Sequence, residues 1–198
     1  MPRMMVFFTL FWRRSELTAL LLAFALAASP ALAAQPHGIE VPRATVLTAD
    51  DNYLLEADID IVLSAPLEDA LHKGIPLYFL LEFELVRSRW YWFNDKAVVL
   101  QRQFRLSYNA LTRQYRVGVG AFYQNFPTLK EALQFMSKVR RREDLEPGTL
   151  KKGAVYSAAL RLRLDTSQLP RPFNLNINTL GSREWNLGSD WYRWTVTP

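Results

Sequence analysis

The sequence predicts a mainly β protein: an antiparallel β-sandwich, immunoglobulin-like in general architecture, with one inserted α-helix and a cleavable signal peptide in front. Three observations carry this. From Ile39 onward the dominant hydrophobic period is two, as in strands with one dry and one wet face. Such segments recur about seven times, separated by turn residues, which is the spacing of a sandwich. The one long stretch with helical spacing runs from Thr128 to about Arg142.

The elements follow in order. Arg13 and Arg14 precede an uncharged apolar run, Leu17 to Ala28, then Ser29, Pro30 and the small-x-small triplet Ala31-Leu32-Ala33. A basic region, a short apolar core and such a triplet make a secretory signal peptide. Residues 1–33 are therefore read as the signal, 34–38 as a short linker and 39–198 as one β-sandwich domain. Met4 to Trp12 is apolar ahead of the arginines, so the start codon is open between Met1, Met4 and Met5. Ser15-Glu16-Leu17 fits a twin-arginine motif poorly, which favours the general secretory route. The alternative, an uncleaved inner-membrane anchor, is weakened by Pro30 and by the alanine content of the run.

Ile39 to Thr48 is the first expected strand. Leu55 to Ile61 alternates apolar with acidic residues: Glu56, Asp58 and Asp60. Pro66 to His72 reads as a short helix stopped by Gly74. In Ile75 to Val86, Leu77, Phe79, Leu81, Phe83 and Leu85 share a face, with Glu82 and Glu84 opposite. Val98 to Tyr108 is a strand, Asn109 to Arg113 a hairpin loop and Gln114 to Phe122 the returning strand. The helix from Thr128 to about Arg142 opens on a capping box, Thr128 with Glu131, and ends on Arg140, Arg141 and Arg142, where cations suit the helix dipole. Ala154 to Asp165 alternates again, with Arg161 and Arg163 outside, and Trp191 to Thr197 is the last strand.

Composition bounds the chemistry. The chain has no cysteine, which excludes a lipoprotein, thiol catalysis and cysteine zinc sites. Removing residues 1–33 takes three arginines and one glutamate from the 24 basic and 19 acidic residues and leaves a net charge of +3. That balance, in an exported protein, points to no nucleic-acid partner.

No residue is assigned as catalytic, cofactor-binding or metal-ligating. His37 lies in the linker, and His72 shares a helix face with Glu68. A metal site there would need at least one more ligand from elsewhere, and an ordinary surface helix pair is the simpler reading. The strand carboxylates could serve a glycoside hydrolase if one had a raised pKa. The simpler expectation is a wet sheet face, answered across strands by Arg102, Arg105, Arg161 or Arg163. Arg140-Arg141-Arg142, followed by Lys151 and Lys152, form a candidate anion-facing patch for lipid head groups or an acidic partner. Trp90-Tyr91-Trp92-Phe93 is a continuous aromatic run, and Trp185, Trp191, Tyr192 and Trp194 crowd the C-terminus. Two readings stay open for these rings: plugs for the ends of the sandwich, or a binding face for sugar or protein.

Trp90-Tyr91-Trp92, the stretch from Leu106 to Tyr115, and Ser182-Arg183-Glu184-Trp185 through Ser189 to Trp194 resemble the family catalogued as domain of unknown function 4390. The resemblance covers nearly all of the chain after the signal, and its ending is the most specific part. It implies export from a Gram-negative bacterium and transfers no catalytic residue. Genes of that family often neighbour one for a nitrogen-regulation-type membrane sensor kinase, so it also implies an envelope signalling role. The expected function is thus a periplasmic, non-enzymatic interaction protein of the cell envelope. A sensor kinase is the sharpest partner, and a glycan or an anionic lipid is a further one. A carbohydrate- or peptidoglycan-binding module and a glycoside-type hydrolase are the alternatives. Candidate partner-binding residues are Trp90, Tyr91, Trp92, Phe93, Arg140, Arg141 and Arg142.

Overall fold

Alternation writes itself directly into burial along the second strand: Tyr53, Leu55, Ala57, Ile59 and Ile61 are buried while their neighbours are not. The computed structural model describes residues 38–49, 52–87, 95–144, 149–170 and 185–198. Among them are nine strands: β1 (Gly38–Ala49), β2 (Asn52–Val62), β3 (Leu77–Arg87), β4 (Asp95–Asn109), β5 (Gln114–Val119), β6 (Phe122–Phe126), β7 (Lys138–Asp144), β8 (Tyr156–Leu164) and β9 (Tyr192–Val196). Two α-helices, α1 (Ala65–His72) and α2 (Leu129–Ser137), complete the set. Every strand pairing is antiparallel. One sheet has the order β1-β2-β7 and the other β6-β5-β4-β3-β8-β9.

The two sheets share one hydrophobic core, a sandwich-like arrangement. Leu55 and Ile59 of the smaller sheet lie in the same cluster as Phe79, Phe83 and Leu162 of the larger. The Tyr53 and Phe83 rings meet across the layers at 5.7 Å. Helix α1 buries Leu67 and Leu71, and α2 buries Ala132 and Met136.

Local signals act where they were read. Gly74 has φ +85°, and the amides of Gly74 and Ile75 bond back to the carbonyls of Leu71 (2.9 Å) and Ala70 (3.0 Å), the Schellman stop of α1. Thr128 caps α2 by accepting from the Glu131 amide at 3.2 Å, while its hydroxyl donates to the Glu131 carboxylate at 2.8 Å. Asn109 holds the β4–β5 turn by accepting from the amides of Leu111 (3.0 Å) and Thr112 (3.3 Å).

Three expectations change. The helix predicted to reach Arg142 ends at Ser137, and Lys138–Asp144 form β7. Pairing with β2 decides this, because it sets Lys138 and Arg140 opposite Asp58 and Glu56, an arrangement a helix cannot make. The strand predicted to run to Phe122 breaks at Gly120, where φ of +58° makes the type II′ turn that starts β6. The sheets therefore hold more strands than the seven or so expected, while the short helix expected at Pro66 to His72 is present as α1.

Candidate functional site

The arginine run is split by the strand that carries it. In β7, Val139 and Arg141 pair with Ala57 and Leu55, whose side chains are buried, so Arg141 belongs to the inward face. Lys138 and Arg140 lie on the outward face, with Nζ–Asp58 at 2.8 Å and Nη1–Glu56 at 3.0 Å. Arg142 is exposed, opposite Leu54. Arg141 is hydrogen-bonded through Nε to Glu143 on its own face. The expected anionic patch of three neighbouring arginines thus becomes one inward arginine and two outward ones.

Arg141 lines a cleft together with Arg102 of β4. Val98, Leu100, Phe104 and Leu106 hold the inward positions of that strand, and Arg102 shares their parity. Burial lowers the Arg102 pKa, and the charge of Arg141 lowers it further against the opposing pull of Glu143. No described carboxylate lies within ion-pair distance of Arg102. This corrects the expectation that Arg102 answers the strand acids.

Two clefts adjoin at this pair. One, about 560 Å³, opens between the sheets beneath α2, with Leu81, Leu100, Phe104, Phe126, Phe135 and Val139 among its walls. The Phe126 and Phe135 rings pack at 5.3 Å on one side of it. The second, about 730 Å³, lies over β4, β5 and β6 and is lined by Gln101, Gln103, Arg105, Arg116, Tyr78 and Tyr123. Arg105 stands over the Tyr78 ring at 5.9 Å and Arg116 over Tyr123 at 4.5 Å. Gly118 sits in register between Arg105 and Tyr123, and its missing side chain leaves the middle of that surface low. Leu100, Arg102, Val119 and Arg141 belong to both clefts. Among the described residues no carboxylate lines the second.

Three of the strand acids, Glu56, Asp58 and Glu82, are engaged by cations. Glu82 is only 8% exposed and accepts from Arg161 Nε at 2.6 Å and Arg163 Nε at 3.0 Å. Burial pushes its pKa up, but the hydrogen bonds and charges of the two arginines outweigh that and hold the carboxyl below its ordinary range. The hydrogen bond from Lys138 lowers Asp58 in the same direction. Glu82 is therefore not on a wet face: Arg161 covers it, and Trp191 lies against Arg161 with the guanidinium 4.4 Å from its ring. Arg161 and Arg163 answer Glu82 as expected, whereas Arg140 and Lys138, not Arg102 or Arg105, answer Glu56 and Asp58.

His72 is a packing residue. Its Nε2 is 2.7 Å from the Tyr115 hydroxyl, and its ring stands edge-on to Tyr108 at 5.1 Å. No group of three or more metal-ligating side chains occurs among the described residues. At the C-terminus, Tyr192 and Trp194 turn inward, Trp194 lying 6.1 Å from the Phe83 ring. Those two rings plug the sandwich. Trp90, Tyr91, Trp92, Phe93 and His37 lie outside the described residues.

Sequence reasoning missed Arg102 as a site residue, yet a signal was present: an arginine at the apolar parity of a strand. It also missed the exposed edge strand β6, where Phe122 and Tyr123 are 83% and 66% exposed. The Gly120-Ala121 pair before an aromatic segment marks that hairpin. No curated protein and no solved structure matches the chain. A family model matches residues 37–195, and the chain accordingly belongs to the family described as domain of unknown function 4390 (DUF4390).

Proposed function

We propose that the protein is a non-enzymatic binding protein of the cell envelope, periplasmic after removal of its signal peptide and immunoglobulin-like in general architecture. One observation carries the binding role: two partly buried arginines, Arg102 and Arg141, both line the junction where an apolar cleft adjoins a cationic one. Like charges gathered in this way cost stability, and a bound anion would offset that cost. The export reading is supported by Arg13-Arg14, the apolar run and Ala31-Leu32-Ala33.

A protein partner in the envelope, with a membrane sensor kinase as its sharpest candidate, is supported by β6. That strand ends the larger sheet, is short and uncharged, and presents Phe122 and Tyr123 to solvent. The hydrolase alternative is disfavoured by Glu82 and Asp58, whose carboxyls are lowered by cations where a general acid needs a raised pKa. For the glycan alternative, one face of the Trp191 ring is already taken by Arg161.

The test is fractionation of a Gram-negative host, N-terminal sequencing and in-cell cross-linking with mass spectrometry. The expected result is a periplasmic chain beginning at Ala34, cross-linked through β6 to an envelope protein. A full-length chain in the cytosol, with no cross-linked envelope component, overturns the reading.

A further inference from the structure

We propose that the two adjoining clefts form one site for a single-chain phosphorylated lipid, with its acyl chain between the sheets beneath α2 and its phosphate on Arg102 and Arg141. This deepens the binding-protein reading and rests on it.

The argument begins with charge. Arg102 and Arg141 both line the shared wall; Glu143 is hydrogen-bonded to Arg141, and no described carboxylate is within ion-pair distance of Arg102. Arg105 and Arg116 add two more cations on the side away from the apolar cleft. An anion placed there removes the Arg102–Arg141 repulsion and supplies the missing acceptor. Guanidinium forks match phosphate oxygens two at a time. The Arg102 fork has no described carboxylate, and Arg141, held through Nε by Glu143, keeps its remaining N–H donors.

The second part is the apolar cleft. At about 560 Å³ it lies within the usual roughly 300–1,000 Å³ of small-molecule sites. Leu81, Leu100, Phe104, Phe126 and Val139 form its apolar walls, and Phe135 of α2 is still 41% exposed at the side. Glu131, Gln134, Lys138 and Arg140 also line it. An alkyl chain gains about 0.8 kcal/mol for each methylene so buried. Inorganic phosphate would leave this cleft unused, and a neutral chain would leave the arginines unanswered. A molecule joining the two, with the junction at Leu100 and Arg102, satisfies both.

The experiment uses the purified full chain, native mass spectrometry and competition titration with four probes: monomeric palmitoyl-lysophosphatidylglycerol, monopalmitoylglycerol, inorganic phosphate and phosphatidylglycerol vesicles. The lysolipid should form a 1:1 complex at least tenfold tighter than monopalmitoylglycerol. Arg102→Gln or Arg141→Gln should each remove at least tenfold of that affinity and bring the two lipids level. Phe135→Asp should weaken both lipids, and circular dichroism should show each variant folded. Equal affinity for the two lipids in the wild type, or no loss in either folded arginine variant, overturns the proposal. So do displacement of the lysolipid by millimolar phosphate, which marks a simple anion site, and binding to vesicles alone, which marks a membrane-facing patch. If no lipid binds while the cross-linking above still captures an envelope protein, this inference falls and the binding-protein reading stands.

Discussion

Replacing Glu82 by Gln tests the electrostatics of the larger sheet most directly. The carboxylate is 8% exposed and receives two charge-assisted hydrogen bonds, at 2.6 and 3.0 Å. A hydrogen bond to a charged group contributes about 1.5–3 kcal/mol, and stranding a fully buried ion-pair partner costs about 3–5 kcal/mol. Here the stranded partners, Arg161 and Arg163, keep 31% and 38% of their side-chain surface in water and can rehydrate in part. Glutamine also retains one acceptor oxygen of nearly the same shape. The expected loss is therefore about 2 kcal/mol at pH 7, below the range for a fully buried pair.

The pH dependence follows from the direction of the shift. Glu82 titrates lower in the folded chain than its ordinary value of 4.5. The folded state thus favours the ionised form, and the contribution is complete above that ordinary value and is lost as pH falls through the lowered folded value. Glutamine does not titrate, so the difference between wild type and Glu82→Gln should be constant from pH 7 to about 5 and shrink below it. Urea midpoints at half-unit steps from pH 7 to 3 measure this. A difference under about 0.5 kcal/mol at pH 7, or one that does not change with pH, would refute the clamp as a source of stability.

Three further outcomes are expected from the same urea assay. Gly74→Ala should cost about 1–2 kcal/mol through backbone strain alone, because φ is +85° and nothing lies within 4 Å of the added Cβ. Thr128→Ala should cost about 1 kcal/mol by removing the acceptor for the Glu131 amide, while Thr128→Ser should restore most of it. Trp194→Phe should change stability by less than about 1 kcal/mol, since the buried indole N–H has no acceptor among the described residues, whereas Trp194→Ala should cost about 3–5 kcal/mol.

Period two, read along the chain, determined most of the β-structure, because a strand's side chains alternate whatever it pairs with. The inward set of β3, Leu77 to Leu85, and the inward set of β8, Tyr156 to Leu164, are both visible in the residues alone. So are the stops and caps at Gly74, Thr128 and Asn109, since those interactions close within a few residues. The family, too, was legible in the hairpin and the C-terminal aromatic ending. What the sequence could not decide was anything set by a distant partner. Leu129 to Arg142 carries a continuous helical pattern, and only β2, some 80 residues earlier, turns its second half into a strand. That conversion sends Arg140 to Glu56 and Arg141 into the sandwich. Arg102, 39 positions from Arg141, then lines with it a cleft that neither strand possesses alone. Alternation is a property of one strand; the candidate site is a property of two sheets, and only their packing creates it.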